Sequence, residues 1–564
     1  MSERITAGGA IFGRLKALGV THVFVNSGTD FPPIIEGLAQ AEAAGVDLPQ
    51  ALTIPHEHVA MGMAHGAWLA TGQLQAAILH TNVGLANGAI GAINAAMDQV
   101  PLLLMSGRTP TMEAGRFGAR TVPIGWGQEM RDQTALVREA SKWDYELRFP
   151  EQIEGLLDRA AAIALSGPQG PVYLSLPREV LCEEIEADPA ADPIMRPTVQ
   201  RAPEEAVAAA AAMLAGAERP LIVAQRGTRD DAGWAALDRL ARDWAIPVSD
   251  YWAVANAVSQ DHPAYVGADV APWLAEADVA LVIDSLAPWS PDSHEVPAGL
   301  KVIQLGPDPL MARTPVRMFR ADAALATETG PGLAALEAAM APLRAGAERR
   351  IAARRAKVEA GAAAAQAAGR ALGEIAAGQP MTKGYVAARI GAAIKERDAT
   401  VLSELGVPLA PMGLTRRGQW RQEPHAGGLG WSLPCAMGMK LAAPERTIVA
   451  TMGDGSYMFA NPVACHQVAE AYGIAPLIVI LNNAEWGAVR QSVTGLYSDG
   501  AASRANRMPM TGLAPSPDFA AIAAASRAFA RRVEKAEDLP MALGEALAET
   551  DHGRLALLDV AVAG

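Results

Sequence analysis

Short apolar runs alternate with longer amphipathic stretches along most of the chain, and each run is followed by Gly, Pro or a helical pattern. Such alternation is typical of strand–helix–strand units, in which parallel strands are covered by helices. In the first 182 residues the apolar runs predict strands at 22–26, 76–80, 101–106 and 172–176. We therefore expect a first α/β domain with a parallel sheet.

The same pattern recurs twice more along the chain. Apolar runs predict strands at 221–224, 279–283 and 301–305, and then at 400–403, 447–451, 477–481 and 555–560. Residues 183–202 are acidic and rich in Pro and Ala, as in a linker, and residues 341–379 predict one long helix or a helical linker. The predicted fold class is α/β, with three consecutive doubly wound parallel-sheet domains at 1–182, 200–340 and 375–564 and no internal repeat evident by eye.

Composition and charge narrow the range of partners. The chain has 564 residues, 50% of them hydrophobic, and a formal net charge of −14. This length exceeds what one core accommodates, and an acidic surface argues against binding nucleic acid or anionic membranes. No run approaches the roughly 18 uninterrupted apolar residues of a membrane span, and the N-terminus predicts an amphipathic helix and no signal peptide. The three cysteines form no CxxC pair, so we expect reduced thiols and a cytoplasmic protein.

The sharpest local signal lies where two predicted strands end. Gly-Asp-Gly-Ser at 453–456 follows one apolar run, and Asn482-Asn483 follows the run at 477–481. Because the carboxyl ends of parallel strands share one edge of a sheet, these polar groups are expected to meet. The Asp454 carboxylate and the Asn483 amide oxygen suit Mg²⁺, and the glycines let the backbone approach a phosphate. Singly, each motif is more often a surface turn, but together they favour a diphosphate and metal site.

This arrangement resembles the cofactor motif of the thiamine diphosphate (ThDP) enzymes of the benzoylformate decarboxylase, pyruvate decarboxylase and acetolactate synthase superfamily. Their motif is Gly-Asp-Gly, a helix, and a strand ending in Asn-Asn. The resemblance implies that Mg²⁺ is held against the diphosphate by Asp454, the Asn483 side chain and the Glu485 main-chain carbonyl. The spacing of 29 residues from Asp454 to Asn483 is longer than usual in the family. The further cofactor-binding residues implied at this motif are Gly453, Gly455, Ser456 and Trp486.

A glutamate near the N-terminus matches a second family position. Glu57 lies at the start of a predicted helix, where, taken alone, it is best explained as a residue that caps the helix N-terminus. The following sequence, including AAILHTNVGLANGAIGAINAAMDQVPLLLMSG at 76–107, and GPVYLSLPR at 170–178 resemble the pyrimidine-binding domain of the superfamily. By this resemblance Glu57 activates the cofactor at its aminopyrimidine ring, a role that suits a buried, partly protonated carboxyl.

The loop Gly-Gly-Leu-Gly at 427–430 precedes the diphosphate motif, as it does in the family. The resemblance implies that the Gly427 carbonyl accepts from the aminopyrimidine amine and that Leu429 supports the bent cofactor. On its own this tetrapeptide is compatible with any tight loop.

Several residues resemble active-site positions of individual family members. NAEWGAVR at 483–490 and Ile-Leu-His-Thr at 78–81 resemble benzoylformate decarboxylase, which implies that His80 relays protons at the substrate; the alternative is a satisfied histidine at a strand end. Asn-Ser-Gly-Thr at 26–29 implies that the Thr29 hydroxyl contacts the substrate carboxylate. Gln128 resembles a glutamine of acetolactate synthases and favours carboligation. His294 is offset from a second family histidine and is better explained as a solvated loop residue.

The resemblance implies ThDP- and Mg²⁺-dependent cleavage or formation of a C–C bond beside a carbonyl, on a small 2-keto acid or acyl substrate. A 2-keto acid decarboxylase similar to benzoylformate decarboxylase is favoured over an acetolactate synthase-like carboligase. A 2-hydroxyacyl-CoA lyase is less favoured because the middle domain shows no basic cluster, and intact Glu57, Asp454 and Asn483 argue against a noncatalytic binding subunit. FAD is compatible with the family but no GxGxxG fingerprint supports it. In the family the glutamate and the diphosphate site come from different subunits, which implies a homodimer or homotetramer.

Overall fold

Three consecutive α/β domains make up the chain, and the computed structural model describes residues 4–186, 192–505 and 507–563. Each domain contains one six-stranded sheet, and every strand pair within these three sheets is parallel. The predicted fold class is therefore confirmed. Part of the predicted linker, 187–191, lies outside the described residues.

The N-terminal domain carries the first sheet. Its strands are β1 (Arg4–Thr6), β2 (His22–Val25), β3 (Gln50–Thr53), β4 (Gln75–Leu79), β5 (Leu102–Arg108), β6 (Asp144–Glu146), β7 (Val172–Pro177) and β8 (Glu184–Glu186). Its helices are α1 (Ala7–Ala17), α2 (Pro32–Ala43), α3 (Glu57–Thr71), α4 (Thr81–Met97), α5 (Ile124–Gly127), α6 (Ile153–Leu165) and α7 (Arg178–Leu181). The sheet order is β3-β2-β4-β5-β7-β6, and β1 pairs with β8 in a separate antiparallel ribbon.

The central strands are buried on both faces, which explains their continuous apolar runs. In β5, Leu102 and Leu104 belong to one core cluster, whereas Leu103 and Met105 belong to another on the opposite face. Helices therefore cover both faces of the sheet, as the doubly wound prediction requires.

The middle domain has a different strand order. Its strands are β9 (Pro220–Ala224), β10 (Val248–Ser249), β11 (Tyr265–Gly267), β12 (Val279–Ile283), β13 (Lys301–Gly306) and β14 (Ala323–Ala326). Its helices are α8 (Glu204–Gly216), α9 (Asp231–Trp244), α10 (Ala271–Leu274) and α11 (Thr329–Met340), followed by the connecting helix α12 (Glu348–Leu372). The order β11-β10-β9-β12-β13-β14 places the topological switch point between β9 and β12.

The C-terminal domain carries the third sheet. Its strands are β15 (Ala399–Glu404), β16 (Trp420–Gln422), β17 (Thr447–Gly453), β18 (Leu477–Asn482), β19 (Phe529–Val533) and β20 (Ala556–Ala561). Its helices are α13 (Lys383–Ala393), α14 (Ser432–Ala442), α15 (Asp454–Phe459), α16 (Pro462–Ala471), α17 (Gly487–Leu496), α18 (Phe519–Ala524) and α19 (Leu539–Asp551). The sheet order is β16-β15-β17-β18-β20-β19.

The first and third domains share one topology, although the sequence shows no repeat by eye. In both sheets the strands of the domain, numbered in chain order, are arranged 2-1-3-4-6-5. Helices α3 and α14 occupy the same place in this scheme and pack against each other. Glycines allow the close approach: a Cβ on Gly66 would lie 1.9 Å from the Cys435 carbonyl oxygen, and one on Gly438 would lie 1.9 Å from that of Met63.

The structure refines several predicted boundaries. The predicted helix at 341–379 is continuous only over α12, because short 3-10 turns precede it and a turn follows. His80, predicted as the last residue of a strand, instead precedes α4 as its N-cap residue. Within the described ranges, no helix is both long enough and apolar enough to cross a bilayer.

Candidate active site

Asp454 lies at the carboxyl edge of the third sheet. Strand β17 ends at Gly453, and Asp454 is the first residue of α15. The Asp454 side chain is buried, and within the described chain its Oδ2 atom has no hydrogen-bond partner. Burial raises the pKa of Asp454, opposed by backbone hydrogen bonds from Gly455 and Ala484. A buried carboxylate oxygen without a donor is an atom that a cation would satisfy.

Asn483 lies at the same edge, because β18 pairs with β17 and ends at Asn482. Its Oδ1 atom accepts a hydrogen bond of 3.2 Å from the Glu485 backbone N–H. The Glu485 carboxylate binds Arg490 and Thr511, whereas its main-chain carbonyl accepts from the Gly487 N–H at 2.9 Å. Asp454 and Asn483 thus share one sheet edge, as predicted, and the Glu485 carbonyl already has one partner.

Trp486 packs onto the first turn of α15. A Cβ on Gly455 would lie 2.3 Å from the Trp486 ring, so this position must be glycine for the ring to sit there. Ser456 is buried and its hydroxyl interacts with the Glu404 carboxyl. Among the described residues, no atom lies within 4 Å of where a Cβ on Gly453 would be, so close packing does not explain that glycine.

The loop at 427–430 is held by Glu404, a residue that the sequence analysis did not select. Glu404 ends β15 and is fully buried, and its two carboxylate oxygens accept from the Gly430 N–H at 2.6 Å and the Ser432 N–H at 2.7 Å. Gly427 has a φ of +67°, a conformation that favours glycine, and Leu429 is half-buried. The Asn94 side chain of α4 also exchanges hydrogen bonds with the Gly428 backbone, so the loop is fixed from two domains.

Glu423 lies beside Glu404 and was also missed. It is buried just after β16, and its Oε2 atom accepts from the Leu405 N–H at 3.1 Å. Burial and the charge of Glu404 raise the pKa of Glu423 to about 8. The Lys383 ammonium donates to the Leu405 carbonyl at 2.7 Å, and Glu423 opposes the burial that lowers the pKa of Lys383.

Glu57 opens α3 and is buried. The cap of this helix is His56, whose ring accepts from the His58 N–H, so Glu57 is not the capping residue. The Glu57 carboxylate accepts from Asn87 at 3.1 Å, and a Cβ on Gly84 would lie 2.9 Å from it. Asn87, which no sequence motif indicated, therefore orients the carboxyl group.

His80 is held between an acid and an amide. Its Nδ1 atom lies 2.5 Å from Asp30 Oδ1, and the Gln128 amide lies 3.1 Å from its Nε2 atom. The hydrogen bond to Asp30 is the main reason that the pKa of His80 is raised, while burial opposes it. Two glycines make room for the pair: a Cβ on Gly28 would lie 2.0 Å from His80 Nδ1, and one on Gly107 would lie 1.4 Å from Asp30 Oδ2.

The structure brings some predicted residues together and separates others. His80 and Gln128 meet directly. Thr29, which precedes Asp30 in the sequence, is exposed, and its carbonyl accepts from Arg178 at 3.3 Å. His294 lies in the middle domain, where its ring accepts from the Ser290 N–H and packs edge-on against Tyr251. Within the described ranges, no hydrogen bond links Glu57 or His80 to the sheet edge of Asp454 and Asn483.

Family models of one class of enzyme match each of the three domains of this chain. The models described as the N-terminal TPP binding, central and C-terminal TPP binding domains of thiamine pyrophosphate enzymes match residues 5–136, 207–336 and 409–560. The chain belongs to the thiamine pyrophosphate enzyme family.

Individual relatives span nearly the whole chain. A protein of Pseudomonas aeruginosa named "Probable 2-ketoarginine decarboxylase AruI" is 30% identical over 95% of this chain and 90% of its own. Benzoylformate decarboxylase of the same organism is 26% identical over 96% of this chain and 97% of its own. A solved structure, the thiamine diphosphate-dependent 4-hydroxybenzoylformate decarboxylase of Rhodococcus jostii RHA1, has 22% identity, covers 99% of both chains and gives a TM-score of 0.77. The chain is thus similar over its full length to enzymes of the 2-keto acid decarboxylase kind.

Proposed function

We propose that this protein is a ThDP- and Mg²⁺-dependent 2-keto acid decarboxylase. The observation that carries the proposal is the Asp30–His80–Gln128 cluster in the same domain as Glu57. Decarboxylation leaves a carbon that must be protonated before an aldehyde can be released. An imidazole whose pKa is raised by a buried carboxylate is suited to hold and deliver that proton near neutral pH.

The residues at the third sheet's edge fit the cofactor and its metal. The unpartnered Oδ2 atom of buried Asp454 supports a cation there, with the Asn483 amide and the Glu485 carbonyl as further oxygen ligands. These are hard oxygen donors, as Mg²⁺ prefers, and phosphate oxygens and water would complete an octahedron. Among the described residues no cluster of three or more His, Cys, Asp or Glu side chains could hold a metal, so we infer a metal shared between protein and diphosphate. When bound, ThDP supplies the electron sink for the C–C bond.

The protein's own side chains supply protons, orientation and exclusion of water. Glu57, oriented by Asn87, would exchange a proton with the aminopyrimidine ring of the cofactor through its carboxyl group. The Gly427 carbonyl and the Leu429 side chain position the cofactor on a loop fixed by Glu404. The Thr29 hydroxyl orients the substrate carboxylate, and His80 moves the proton at its Nε2 atom, which faces Gln128.

A carboligase is the second candidate, and the position of Gln128 favours it. An amide 3.1 Å from His80 Nε2 can hydrogen-bond the same substrate oxygen that His80 serves, and so orient an incoming carbonyl compound. In that case a second carbonyl compound captures the reactive carbon before protonation.

We propose further that the protein is a homodimer or homotetramer with shared active sites. Glu57 contacts Asn87 and Gly84 of its own domain, whereas the metal residues lie in the C-terminal domain without a hydrogen bond to Glu57 in the described chain. A site that combines Glu57 of one subunit with Asp454 of the other would join the two halves. Sedimentation with and without ThDP and Mg²⁺ tests this assembly; a monomer that retains full activity would contradict it.

The direct test follows CO₂ release and products by mass spectrometry. The purified protein is supplied with ThDP, Mg²⁺ and benzoylformate, 2-ketoarginine or pyruvate, beside Glu57→Gln and, as a control, the exposed Glu42→Gln. If the wild type and Glu42→Gln form an aldehyde and Glu57→Gln does not, the result supports a decarboxylase. Acyloin products support the carboligase. ThDP binding without CO₂ release from any keto acid would contradict both.

A further inference from the structure

A cavity of about 230 Å³ lies where the three domains meet, and four arginines line it. Arg226 and Arg229 follow β9 of the middle domain, while Arg417 and Arg421 belong to the C-terminal domain. The end of α3 and Asp98 complete the wall. The sequence analysis found no basic cluster because these residues come from segments almost 200 positions apart and converge only in the fold.

Three of the four arginines form ion pairs with carboxylates of the protein, and these partners account for their positions. Arg226 pairs with Asp284 at 3.3 Å and donates to the Met97 carbonyl at 2.7 Å. Arg229 pairs with the same Asp284 at 2.8 Å, and Arg417 pairs with Asp231 at 2.5 Å. The Arg226–Met97 and Arg417–Asp231 contacts join the middle domain to its neighbours, whereas the Asp284 pairs lie within it.

Arg421 has no such partner among the described residues. It lies in β16, and its buried Nε atom has no acceptor; its side chain forms no hydrogen bond or ion pair with any residue in the ranges the structure describes. Burial and the charges of Arg229 and Arg417 lower the pKa of Arg421 to about 10, so it remains a cation at neutral pH. Arg226 is 4% exposed, and its Nε atom likewise has no acceptor in the described chain.

The local charges leave one cation unmatched. Asp284 serves Arg226 and Arg229, and Asp231 serves Arg417. The third carboxylate, Asp98, lies 3.5 Å from His65, and its charge also acts on Arg421, so among the described residues four arginines face three carboxylates. A half-buried guanidinium whose Nε atom is buried without an acceptor is costly unless an anion balances it.

The backbone beneath the cluster is also strained. Arg229 and Asp284, the two members of one ion pair, have φ values of +66° and +40° in a region that side chains other than glycine rarely occupy. Such conformations persist where the surroundings impose them, commonly at ligand sites. The loop after β9 is therefore held so that Arg229 faces the cavity.

We propose that this cavity binds a small oxyanion, a phosphate or a carboxylate, through the Arg421 guanidinium and the free Nε atom of Arg226. Planar guanidinium groups bind such oxyanions through paired hydrogen bonds. The cavity is smaller than the roughly 300–1,000 Å³ of sites for drug-sized ligands, which fits a compact anion. The bound anion would join the middle and C-terminal domains, and the inference does not depend on the proposed reaction.

The test is calorimetric titration of the ThDP- and Mg²⁺-saturated protein with inorganic phosphate, acetate and chloride at matched ionic strength, so that phosphate does not occupy the cofactor's own site. We expect saturable binding of phosphate or acetate, and the tighter of the two identifies the ligand class. Arg421→Gln should weaken that binding about ten- to hundredfold, the effect of losing one charged hydrogen-bond partner. The exposed Arg349→Gln should leave it unchanged. Binding no stronger than that of chloride, or unaltered by Arg421→Gln, would overturn the proposal.

A thermal scan separates ligand binding from a structural role for Arg421. Without phosphate or carboxylate, Arg421→Gln should melt at or above the wild-type temperature, because it removes repulsion from Arg229 and Arg417. Added phosphate or acetate should raise the melting temperature of the wild type and of Arg349→Gln, but not that of Arg421→Gln. A variant that is less stable in the absence of these anions would show that Arg421 only supports the fold and would refute the anion site.

Discussion

The Nδ1 atom of His80 lies 2.5 Å from Oδ1 of Asp30, a residue fifty positions earlier in the chain that is almost completely buried. The contact fixes the orientation of the imidazole and leaves its Nε2 atom to face Gln128. It also stabilises the protonated ring, which is the form that can donate a proton.

Replacing Asp30 with Asn should shift the pH dependence of turnover. The folded pKa of His80 is raised, so its proton is held at low pH and lost as the pH rises through that pKa. Without the carboxylate this loss occurs at lower pH, and turnover near neutral pH should fall about ten- to hundredfold. The pH profile of kcat, and NMR titration of His80, would measure the shift. The exposed Asp132→Asn is the control, and an unshifted profile would show that Asp30 does not act through His80.

Substituting either glycine beside this pair should disable it without unfolding the domain. Gly28→Ala would place a methyl group 2.0 Å from His80, and Gly107→Ala would place one 1.4 Å from Asp30, so one side chain must move. A displacement of about 1 Å can reduce turnover on the order of a hundredfold. Gly155→Ala serves as the control, because no atom of the described part of the chain outside its own helix lies within 4 Å of the new methyl group. Steady-state kinetics beside circular dichroism would distinguish a misplaced His80 from lost fold.

Glu423 should make stability depend on pH. Its folded pKa of about 8 lies above its usual 4.5, so between these values the folded state binds more protons than the unfolded state. Stability is therefore lost as the pH rises through this window. Glu423→Gln should flatten the dependence and raise the melting temperature most near pH 8, whereas the exposed Glu445→Gln should not. Equal slopes for wild type and Glu423→Gln would show that Glu423 is ionised throughout.

Metal removal tests Asp454 independently of turnover. In the wild type, Mg²⁺ should increase the affinity for ThDP, and chelation should abolish that increase. Asp454→Asn retains the shape of the side chain but leaves it one oxygen donor in place of two. We therefore expect the factor by which Mg²⁺ increases the affinity for ThDP to fall at least tenfold, as measured by tryptophan fluorescence. The exposed Asp518→Asn, in the same domain, is the comparison. Full Mg²⁺ dependence in Asp454→Asn would place the metal elsewhere.

Central strands could be predicted from the sequence, but edge strands and distant partners could not. The predicted run at 279–283 matches β12 because both faces are buried and every residue is apolar. Strand β16, with the sequence Trp-Arg-Gln, has no such run, because it is a three-residue edge strand. Residues of the candidate site that carry a local motif, such as Asp454, could be selected. Asp30 and Glu404 could not, since only the fold brings them to His80 and to the loop at 427–430.

The packing of α3 against α14 leaves those two helices no freedom to slide. Gly66 and Gly438 each face a backbone carbonyl of the other helix, and Gly62 faces the Pro434 ring, so even a small shear would produce a steric overlap. The N- and C-terminal domains of the chain should consequently move as one rigid body during turnover. We therefore expect substrate to enter past the peripheral segment at 109–131, which is largely exposed and carries Gln128 to within 3.1 Å of His80.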